Sequence, residues 1–592
     1  MATNIVQELR TAITNTVTSL MEEGVLGQSE IPDFTVHYPE AKGRGDFASN
    51  ISLRLAREMN GSALEIAGAI ASLLQKNFPH IIEKAEAVSP GFVNIALSSS
   101  LFLQEMHEIL RQGDAYGSQH IGKTMVIEYS SPNIAKSFGI GHLRSTIIGQ
   151  ALRNVYEFLG WKCIGINHLG DWGTPYGKLI TQIKKHILGE QSAAQNKNIL
   201  KNLSVQDLER LYVSFGKEAE ENPEMQEEAR LWFSKLEQGD HEARLIWEEA
   251  REVSLREFQR MYDLLDVRIE NVMGESFYEK MLADIVEEVK EKGFAKESQG
   301  ALIMEFPEEK GISPAMLRKS DGASTYFTRD LAALRYRSNQ WSPNMLVVET
   351  GMEQALHFRQ VFCAGMLLGW TEGITLSHVG HGLYRSQDGK FSTREGKTIH
   401  LEKVLEEAVS RAKIMLEASG TMPDFTEEEK QEVSAIVGIG GVKYNDLSQH
   451  PKKDIVFSWD KILNLKGDSA AYIQYTYARC ESIMKKSNFL ATRDLAKPDK
   501  TQDISEEERN ILALLHRFPS VVEQAASQLS PHFIASFALD LARRYNAFYA
   551  NHSVLQAEKE EEKEFRLALT KATAQLLKSC LCLLGIQAPE RM

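Results

Sequence analysis

The stretch from Glu128 to His142 (EYSSPNIAKSFGIGH) restricts the fold of this chain more than any other part of its sequence. It follows a short β-rich run at 125–129 and precedes a long amphipathic run. A strand, a loop of small residues and a helix, in this order, point backbone N–H groups and the positive end of a helix dipole at a phosphate. Gly139 and Gly141 have no Cβ, so a base or a phosphate can approach the backbone closely. The sequence therefore predicts one half of a nucleotide site here, with His142 as a hydrogen-bond donor where the helix starts.

A second polar segment, Lys390 to Lys397 (KFSTREGK), lies far downstream and completes a split nucleotide site in our interpretation. The chain of 592 residues is too long for a single core, so we expect about two to four domains. The net charge of −14 excludes a protein coated with basic surface. It allows a local basic face, because exposed charges more than about 10 Å apart are largely screened by salt.

The sequence contains no apolar run of membrane-spanning length, and its N-terminus lacks the layout of a signal peptide. We therefore expect a cytoplasmic protein without membrane contact. The five cysteines are scattered, which favours free thiols in a reducing compartment and no bound zinc; they are Cys163, Cys363, Cys480, Cys580 and Cys582.

The order of apolar patterns predicts an α/β multidomain protein. Asp46 is a candidate cap for a helix in an N-terminal α/β module, and Gly113 to Lys123 reads as a linker. A helix ending at Gly160 joins two strands, which predicts a parallel, Rossmann-like sheet, and a later strand at 301–306 is assigned to the same sheet. Beyond Leu401 nearly every pattern is helical. The predicted domains are 1–118, 119–400 with a helical insertion near 186–265, a helical connecting region at 401–465, and a helical domain at 466–592.

Several long segments, in order along the whole chain, resemble the class I aminoacyl-tRNA synthetases, and among them the arginyl-tRNA synthetase family. Glu128 to Ser145 is similar to that family's segment around the HIGH sequence, and Phe391 to Arg394 to its form of the KMSKS loop. The remaining matching segments are Asn167 to Gly173, Ser320 to Gly322 with Tyr326 to Asp330, and Ala471 to Arg479.

The resemblance implies that the protein joins L-arginine to ATP as arginyl-adenylate, with Mg²⁺ assistance, and passes arginine to the 3′ end of tRNA(Arg). It implies a tRNA-contacting N-terminal domain, an anticodon-binding C-terminal domain and a monomer. The residues that it places at ATP are Pro132, Lys136, Gly139, Gly141, His142, Lys390, Phe391, Ser392 and Thr393. Those with catalytic roles are Lys136, His142, Lys390 and Ser392.

Two positions depart from the general class I pattern, since Gly139 replaces the first histidine of HIGH and Thr393 the second lysine of KMSKS. Lys136 can supply the missing positive charge, because a lysine is a flexible point charge suited to a moving phosphate. The departures, together with the family, also imply that arginine activation waits for bound tRNA. On residues alone, His142 is equally explained as an ordinary helix-cap histidine.

A pocket for arginine must recognise a planar guanidinium with five donors, for which carboxylates are the natural partners. Asp330 follows Tyr326 by one helical turn, so both can face one cavity. The arginine-binding residues implied by the resemblance are Glu128, Ser130, Asn133, Tyr326, Asp330 and Gln354. The alternative for Asp330 is an internal salt bridge with Arg329 or Arg335.

The run from Arg543 to Tyr549 interleaves basic and aromatic residues, a pattern typical of proteins that stack unpaired RNA bases. An amphipathic helix that buries Phe548 would look the same. With the resemblance, the predicted tRNA-binding residues are Tyr472, Tyr475, Arg479, Arg544, Tyr545 and Tyr549. Two other functions stay open at this point: a related ligase for another amino acid, and a catalytically inactive tRNA-binding protein.

Overall fold

The computed structural model describes residues 5–39, 45–386, 389–390, 400–420, 422, 424–487 and 504–592. In this part of the chain an antiparallel α/β module is followed by a parallel sheet with helices on both faces and then by a helical region. This is the predicted α/β multidomain architecture. None of the described helices is long and apolar enough to span a bilayer.

The N-terminal module contains a four-stranded antiparallel sheet in the order β1-β2-β4-β3. Helices α1 and α3 pack against it through residues at helical spacing, such as Leu9 and Ile13. Its elements are α1 (Ile5–Glu22), β1 (Val36–His37), β2 (Phe47–Ser49), α2 (Ile51–Met59), α3 (Ala63–Asn77), β3 (Ile82–Val88), β4 (Phe92–Leu97) and α4 (Ser99–Gln112).

The predicted capping role of Asp46 is wrong, because β2 follows it directly and α2 starts only at Ile51. The Asp46 carboxylate instead accepts the backbone N–H of Leu97 at 2.8 Å. It also pairs with Nη2 of Arg509 in the C-terminal helical region at 2.8 Å. Asp46 therefore ties the N-terminal sheet to the far end of the chain.

The central sheet has five parallel strands in the order β12-β11-β5-β6-β7. Alternate residues of β5 enter different cores: Met125 and Ile127 join the cluster on the α5 side, and Val126 joins the cluster on the α12 side. The sheet is thus covered on both faces, as parallel sheets require. Its elements are β5 (Thr124–Glu128), α5 (Ile140–Phe158), β6 (Lys162–Asn167), α6 (Thr174–Ile183), β7 (Asn271–Val272), α11 (Leu282–Glu291), α12 (Tyr326–Trp341), β11 (Met345–Gly351), α13 (Ala355–Leu367) and β12 (Thr375–His381).

The predicted strand at 301–306 is a strand, but its assignment to the parallel sheet is wrong. It forms a separate antiparallel sheet in the order β10-β9-β8, made of β8 (Ala295–Ser298), β9 (Ala301–Met304) and β10 (Ala315–Arg318). The reason is local: Gln299 and Gly300 both have positive φ (51° and 80°), as in a tight two-residue hairpin turn. This turn pairs β9 with its neighbour in sequence.

The insertion and the C-terminal region are helical, as predicted. Thr426 and Ser505 each form a reciprocal capping box with the glutamate three residues later, which fixes the starts of two acidic helices. The insertion contains α7 (Lys197–Lys201), α8 (Val205–Glu221), α9 (Glu224–Glu237) and α10 (His241–Leu265). The later elements are β13 (Tyr384–Ser386), β14 (Gly389–Lys390), α14 (Leu401–Ser419), α15 (Glu427–Leu447), β15 (Ile455–Val456), α16 (Trp459–Ile462), α17 (Ala470–Ser487), α18 (Glu506–Leu515), α19 (Phe518–Ser527), α20 (His532–Asn551) and α21 (Glu560–Leu583).

Candidate active site

The carboxyl ends of β5, β6 and β11 meet at one edge of the central sheet. Strand β5 has β6 on one side and β11 on the other, so the connections leave it in opposite directions. Such a switch in strand order opens a crevice in which parallel α/β sheets bind ligands. The loop at 129–139, which carries most of the predicted site residues, emerges from β5 at this crevice.

This loop is strained and firmly held. Ser130, Ser131 and Ala135 have φ values of 71°, 47° and 59°, a left-handed backbone that side chains other than that of glycine rarely adopt. The N–H of Ser130 donates to Oγ of Ser145 at 2.9 Å, and the N–H of Ala135 donates to Oγ of Ser254 at 2.9 Å. Strain of this kind persists only where the surroundings fix it, and it concentrates at functional sites.

His142 combines the capping and the binding interpretations. Helix α5 starts at Ile140, and the N–H of Gly139 donates to Nδ1 of His142 at 3.1 Å. Burial, together with the charge of Lys136, lowers the pKa of His142 to about 4. The ring is therefore neutral at physiological pH, and because Nδ1 accepts, its proton sits on Nε2, which is free to donate to an anion.

Lys136 is exposed beside this helix end, with Nζ 5.6 Å from the ring centroid of Tyr212. Among the described residues, no carboxylate pairs with its ammonium group. Gly141, in the first turn of α5, would meet no atom within 4 Å if it carried a Cβ. Space and positive charge are thus present together at the predicted phosphate position.

A cavity of about 130 Å³ opens next to the loop. The structure brings Asn133, Lys136 and Tyr326, three of the predicted residues, into its lining, together with Glu275 and Tyr212. A Cβ on Gly170 would lie 1.9 Å from Oδ1 of Asn133, so only glycine leaves room for that side chain.

Sequence reasoning missed Glu275, which is 7% exposed. Its Oε2 lies 3.3 Å from Nε of Arg329 and has no hydrogen-bond partner within the described part of the chain. Burial raises the pKa of Glu275 to about 7; the charges of Arg329 and His168 lower it, and those of Asp330 and Asp171 raise it. A buried carboxylate that accepts few hydrogen bonds can accept more from a ligand that brings several N–H donors.

The position of Glu275 is set by the loop after β6. The carboxylate of Asp171, which is fully buried, accepts the N–H of Ser276 at 2.9 Å and its Oγ–H at 2.8 Å. The N–H of Glu275 donates to the carbonyl of Leu169 at 3.0 Å. Gly274 has no room for a Cβ against Asp171. The sequence signal for Glu275 is Asp171, which lies in the segment from Asn167 to Gly173.

A chain of polar side chains links the two predicted carboxylates, Glu128 and Asp330. Glu128 pairs with the buried Arg337, whose Nη2 lies 3.1 Å from Nδ1 of His168. Nε2 of His168 lies 3.3 Å from Oδ1 of Asp330, and Nε2 of His357 lies 2.6 Å from Oδ2 of Asp330. Burial raises the pKa of Asp330, but the hydrogen bonds from the two histidines outweigh it and hold the pKa well below its ordinary value.

The alternative interpretation of Asp330, a salt bridge with Arg329 or Arg335, is wrong, because both arginines pair with other carboxylates. Arg329 pairs with Glu275, and Arg335 pairs with Glu288 at 3.2 Å. The carboxylate of Glu128 is likewise already partnered, by Arg337. Tyr326 is 64% exposed, with the guanidinium of Arg329 stacked 4.8 Å from its ring centroid.

The other predicted residues lie around the same crevice or outside the described chain. The hydroxyl of Ser130 is buried and bonded to that of Tyr262 at 2.8 Å. The carbonyl of Pro132 accepts the N–H of Gly170, and Gln354 is exposed after β11. The backbone of Lys390 lies in β14. Phe391, Ser392 and Thr393 lie outside the described residues.

The C-terminal helices bring three of the predicted RNA-contacting residues together. The guanidinium of Arg479 lies 4.8 Å from the ring centroid of Tyr475 and 5.1 Å from that of Tyr549, and it donates to Oδ1 of Asn546 at 2.6 Å. Tyr549 is 39% exposed. This group forms a partly exposed aromatic and cationic surface of the kind that stacks bases.

The interpretation of Tyr545 as an RNA contact is wrong for this structure, because its side chain is fully buried and donates to Oγ1 of Thr570. Phe548 is also fully buried, so the run at 543–549 is an amphipathic helix as well as a basic and aromatic one. Arg544 pairs with Asp540 at 2.9 Å, and Tyr472 is half-buried against the core.

Three protein-family models match the chain. They are described as "Arginyl tRNA synthetase N terminal domain" (residues 7–97), "tRNA synthetases class I (R), catalytic domain" (105–459) and "DALR anticodon binding domain" (473–592). The matched segments follow the three parts of the fold.

Curated relatives and solved structures agree with these matches. The chain is 40% identical to the arginine--tRNA ligase of Halothermothrix orenii over 89% of this chain and 90% of that protein. It is 37% identical to that of Clostridioides difficile over 99% and 100%. The crystal structure of arginyl-tRNA synthetase from Plasmodium falciparum has a TM-score of 0.82 and 28% identity, with 99% of both chains covered. The fold is also that of the Thermus thermophilus arginyl-tRNA synthetase (TM-score 0.79, 23% identity, 99% and 100% covered).

Proposed function

The chain belongs to the arginyl-tRNA synthetase family of class I, and from this premise we propose how its own residues perform the reaction. The protein is an arginine–tRNA ligase: it activates L-arginine with ATP to arginyl-adenylate and pyrophosphate, and it transfers arginine to the 3′ end of tRNA(Arg). In the first step an oxygen of the arginine carboxylate bonds to the α-phosphorus of ATP while the bond to pyrophosphate breaks. Because charge builds on phosphate oxygens, positioning and electrostatics supply most of the rate.

The observation that carries the assignment of the amino-acid pocket is the incompletely partnered carboxylate of Glu275 in a cavity lined by Asn133 and Tyr326. We propose that Glu275 and Asp330 accept hydrogen bonds from the guanidinium group, with Tyr326 covering its plane. Asn133 and Gln354 are proposed to contact the amino and carboxylate groups of the substrate. Glu128 and Ser130 are proposed to support the pocket without contacting the substrate, since both are buried and already paired with protein groups.

ATP is proposed to lie at the start of α5. The Nε2–H of the neutral His142 and the ammonium group of Lys136 are the donors that the described chain offers to the phosphates. Lys390 and Ser392 are also proposed to contact the phosphates, and Pro132, Gly139 and Gly141 to leave room for the nucleotide. Mg²⁺ is proposed to enter bound to the phosphate oxygens of ATP, which are the hard oxygen ligands that it prefers.

For tRNA(Arg), we propose that residues 466–592 bind the anticodon side through Tyr475, Arg479 and Tyr549. The N-terminal domain, residues 1–118, would contact another part of the same tRNA. The region at 401–465 would connect the catalytic domain to the C-terminal helical domain. We further propose that the protein acts as a monomer in the cytoplasm. Light scattering, which measures the molar mass in solution, tests the monomeric state.

ATP–pyrophosphate exchange measured with each amino acid separately tests the assignment. Among the amino acids we expect only arginine to support exchange, and only when tRNA(Arg) is present. Exchange with a different amino acid would overturn the pocket assignment. Exchange with arginine at full rate after nuclease treatment would overturn the requirement for tRNA while leaving the pocket in place.

A further inference from the structure

We propose that His357 is a positioning residue for the arginine-binding carboxylate, orienting Asp330 through a hydrogen bond from its Nε2. This inference rests on the proposed role of Asp330 in the pocket. It adds a residue from a different helix, α13, whose contribution neither the sequence pattern nor the resemblance indicates.

Different residues hold the two oxygens of the Asp330 carboxylate. Each oxygen faces one imidazole nitrogen: Oδ1 lies 3.3 Å from Nε2 of His168, and Oδ2 lies 2.6 Å from Nε2 of His357. A carboxylate has about four acceptor positions, so two N–H donors hold its plane and still leave two positions for a guanidinium. The Asp330 side chain is 18% exposed, so part of it is accessible from outside the protein.

The ring of His357 is itself held in place by aromatic neighbours. It packs edge-to-face against Phe327, at 6.4 Å between centroids, and against Phe358 at 5.1 Å. Phe327 belongs to the same helix as Asp330, and Phe358 is the neighbour of His357 on α13. A donor fixed by packing on both sides is the arrangement that holds a binding group in its productive orientation.

The partners of Asp330 differ from those of the other carboxylates in this region. Glu128 is paired with Arg337, and Arg329 is paired with Glu275. Asp330 instead faces two histidine rings, neither of which carries a permanent charge. A permanent cation at 357 would pair with Asp330 as the substrate guanidinium does, and it would compete with arginine. The position therefore suits a hydrogen-bond donor without a permanent charge.

Three substitutions at one position separate these contributions. His357→Gln keeps an N–H donor of similar reach and should leave the KM for arginine within about threefold of the wild type. His357→Leu removes the donor, and we expect its KM for arginine to rise about tenfold with the KM for ATP unchanged. His357→Lys keeps a donor but makes its charge permanent, so its KM for arginine should rise above that of His357→Leu.

His378 provides a matched control, because its ring stacks on Phe358 at 5.1 Å and its Nε2 lies 2.9 Å from the hydroxyl of Thr350, away from Asp330. His378→Leu should leave the KM for arginine unchanged. An equal effect of His357→Gln, His357→Leu and His357→Lys, or an equal rise in both KM values, would overturn the proposal. Asp330→Asn separates the role of His357 from the pocket assignment. If Asp330→Asn leaves the KM for arginine unchanged, the assignment of Asp330 to the pocket fails as well. If it raises that KM while the His357 variants do not, only the role of His357 fails.

Discussion

Replacing Glu275 by glutamine should weaken arginine binding and strengthen the fold at the same time. The carboxylate is buried, its Oε2 has no hydrogen-bond partner in the described chain, and burial raises its pKa to about 7 from an ordinary value of 4.5. Glutamine resembles the protonated carboxyl in shape but carries no charge. The substitution therefore removes both the attraction for a guanidinium and the cost of a buried charge. It also removes the ion pair with Arg329, but the pKa of Glu275 is raised in spite of that pair, so the gain should outweigh the loss.

The effect on stability follows from proton linkage. Between pH 4.5 and about 7 the folded state binds more protons at Glu275 than the unfolded state, so the free energy of unfolding falls as the pH rises through this window. The full loss above the window is on the order of 3 kcal/mol, because each pH unit crossed costs about 1.36 kcal/mol. Glu275→Gln should therefore unfold at higher denaturant concentration than the wild type at pH 8, and the gap should close towards pH 4.5.

The effect on arginine binding has the opposite sign. The ionised fraction of Glu275 rises from roughly one tenth at pH 6 to roughly nine tenths at pH 8, so the KM for arginine of the wild type should fall roughly tenfold over this range. In Glu275→Gln the KM should be high and nearly independent of pH. Steady-state pyrophosphate exchange at saturating ATP and tRNA measures both.

Glu249→Gln serves as the control, because Glu249 is as deeply buried but pairs with Lys197 in the insertion, at 3.3 Å. Glu249→Gln should not change the pH dependence of the KM for arginine, and it should not raise the free energy of unfolding. A wild-type KM for arginine that does not vary with pH, or a Glu275→Gln protein that is less stable than the wild type at pH 8, would refute the reasoning.

Three further predictions concern the other parts of the site. Gly170→Ala places a methyl group where Oδ1 of Asn133 lies, so the KM for arginine should rise about tenfold without unfolding, and an unchanged KM would remove Asn133 from the pocket. Lys136→Ala should slow pyrophosphate exchange at least about tenfold while the melting temperature stays constant, because the side chain is exposed; exchange at the wild-type rate would assign the phosphate charge to another residue. Tyr549→Ala should raise the KM for tRNA about tenfold in aminoacylation assays, whereas Tyr545→Phe, in the core, should not; equal effects would exclude base stacking on this surface.

The parts of the fold that the sequence predicted are those determined by neighbouring residues. The β5–loop–α5 unit was predicted because an apolar strand, a glycine-containing loop and an amphipathic helix follow one another within a few tens of residues. The starts of α15 and α18 were marked by runs of glutamate, and each helix has a capping hydroxyl directly before the run. Strand β9 was recognised, but its sheet was not, because pairing depended on the φ values of a two-residue turn that the residue pattern did not reveal.

The parts of the site that sequence reasoning missed depend on contacts between distant positions. Arg337 and Glu128 are 209 residues apart, and nothing in either neighbourhood announces the pair. Glu275 follows β7, which has two residues and therefore no periodicity to detect. The nucleotide half of the site was predictable because one continuous segment supplies it, whereas the arginine half is assembled from β5, β6, the loop after β7, α12 and α13.

The two carboxylates named from the resemblance are not equivalent in the structure, and the difference bears on how the pocket selects its substrate. Glu128 is paired closely with the permanent cation of Arg337 and is itself buried. Asp330 faces two imidazole rings, and Glu275 keeps an oxygen that accepts no hydrogen bond within the described chain, although Arg329 lies 3.3 Å from it. A planar cation with several donors can bond to both Asp330 and Glu275 at once, whereas lysine offers a single point charge and a neutral side chain offers no charge. Selection for arginine then comes from carboxylates that the protein orients and leaves with acceptor positions to fill.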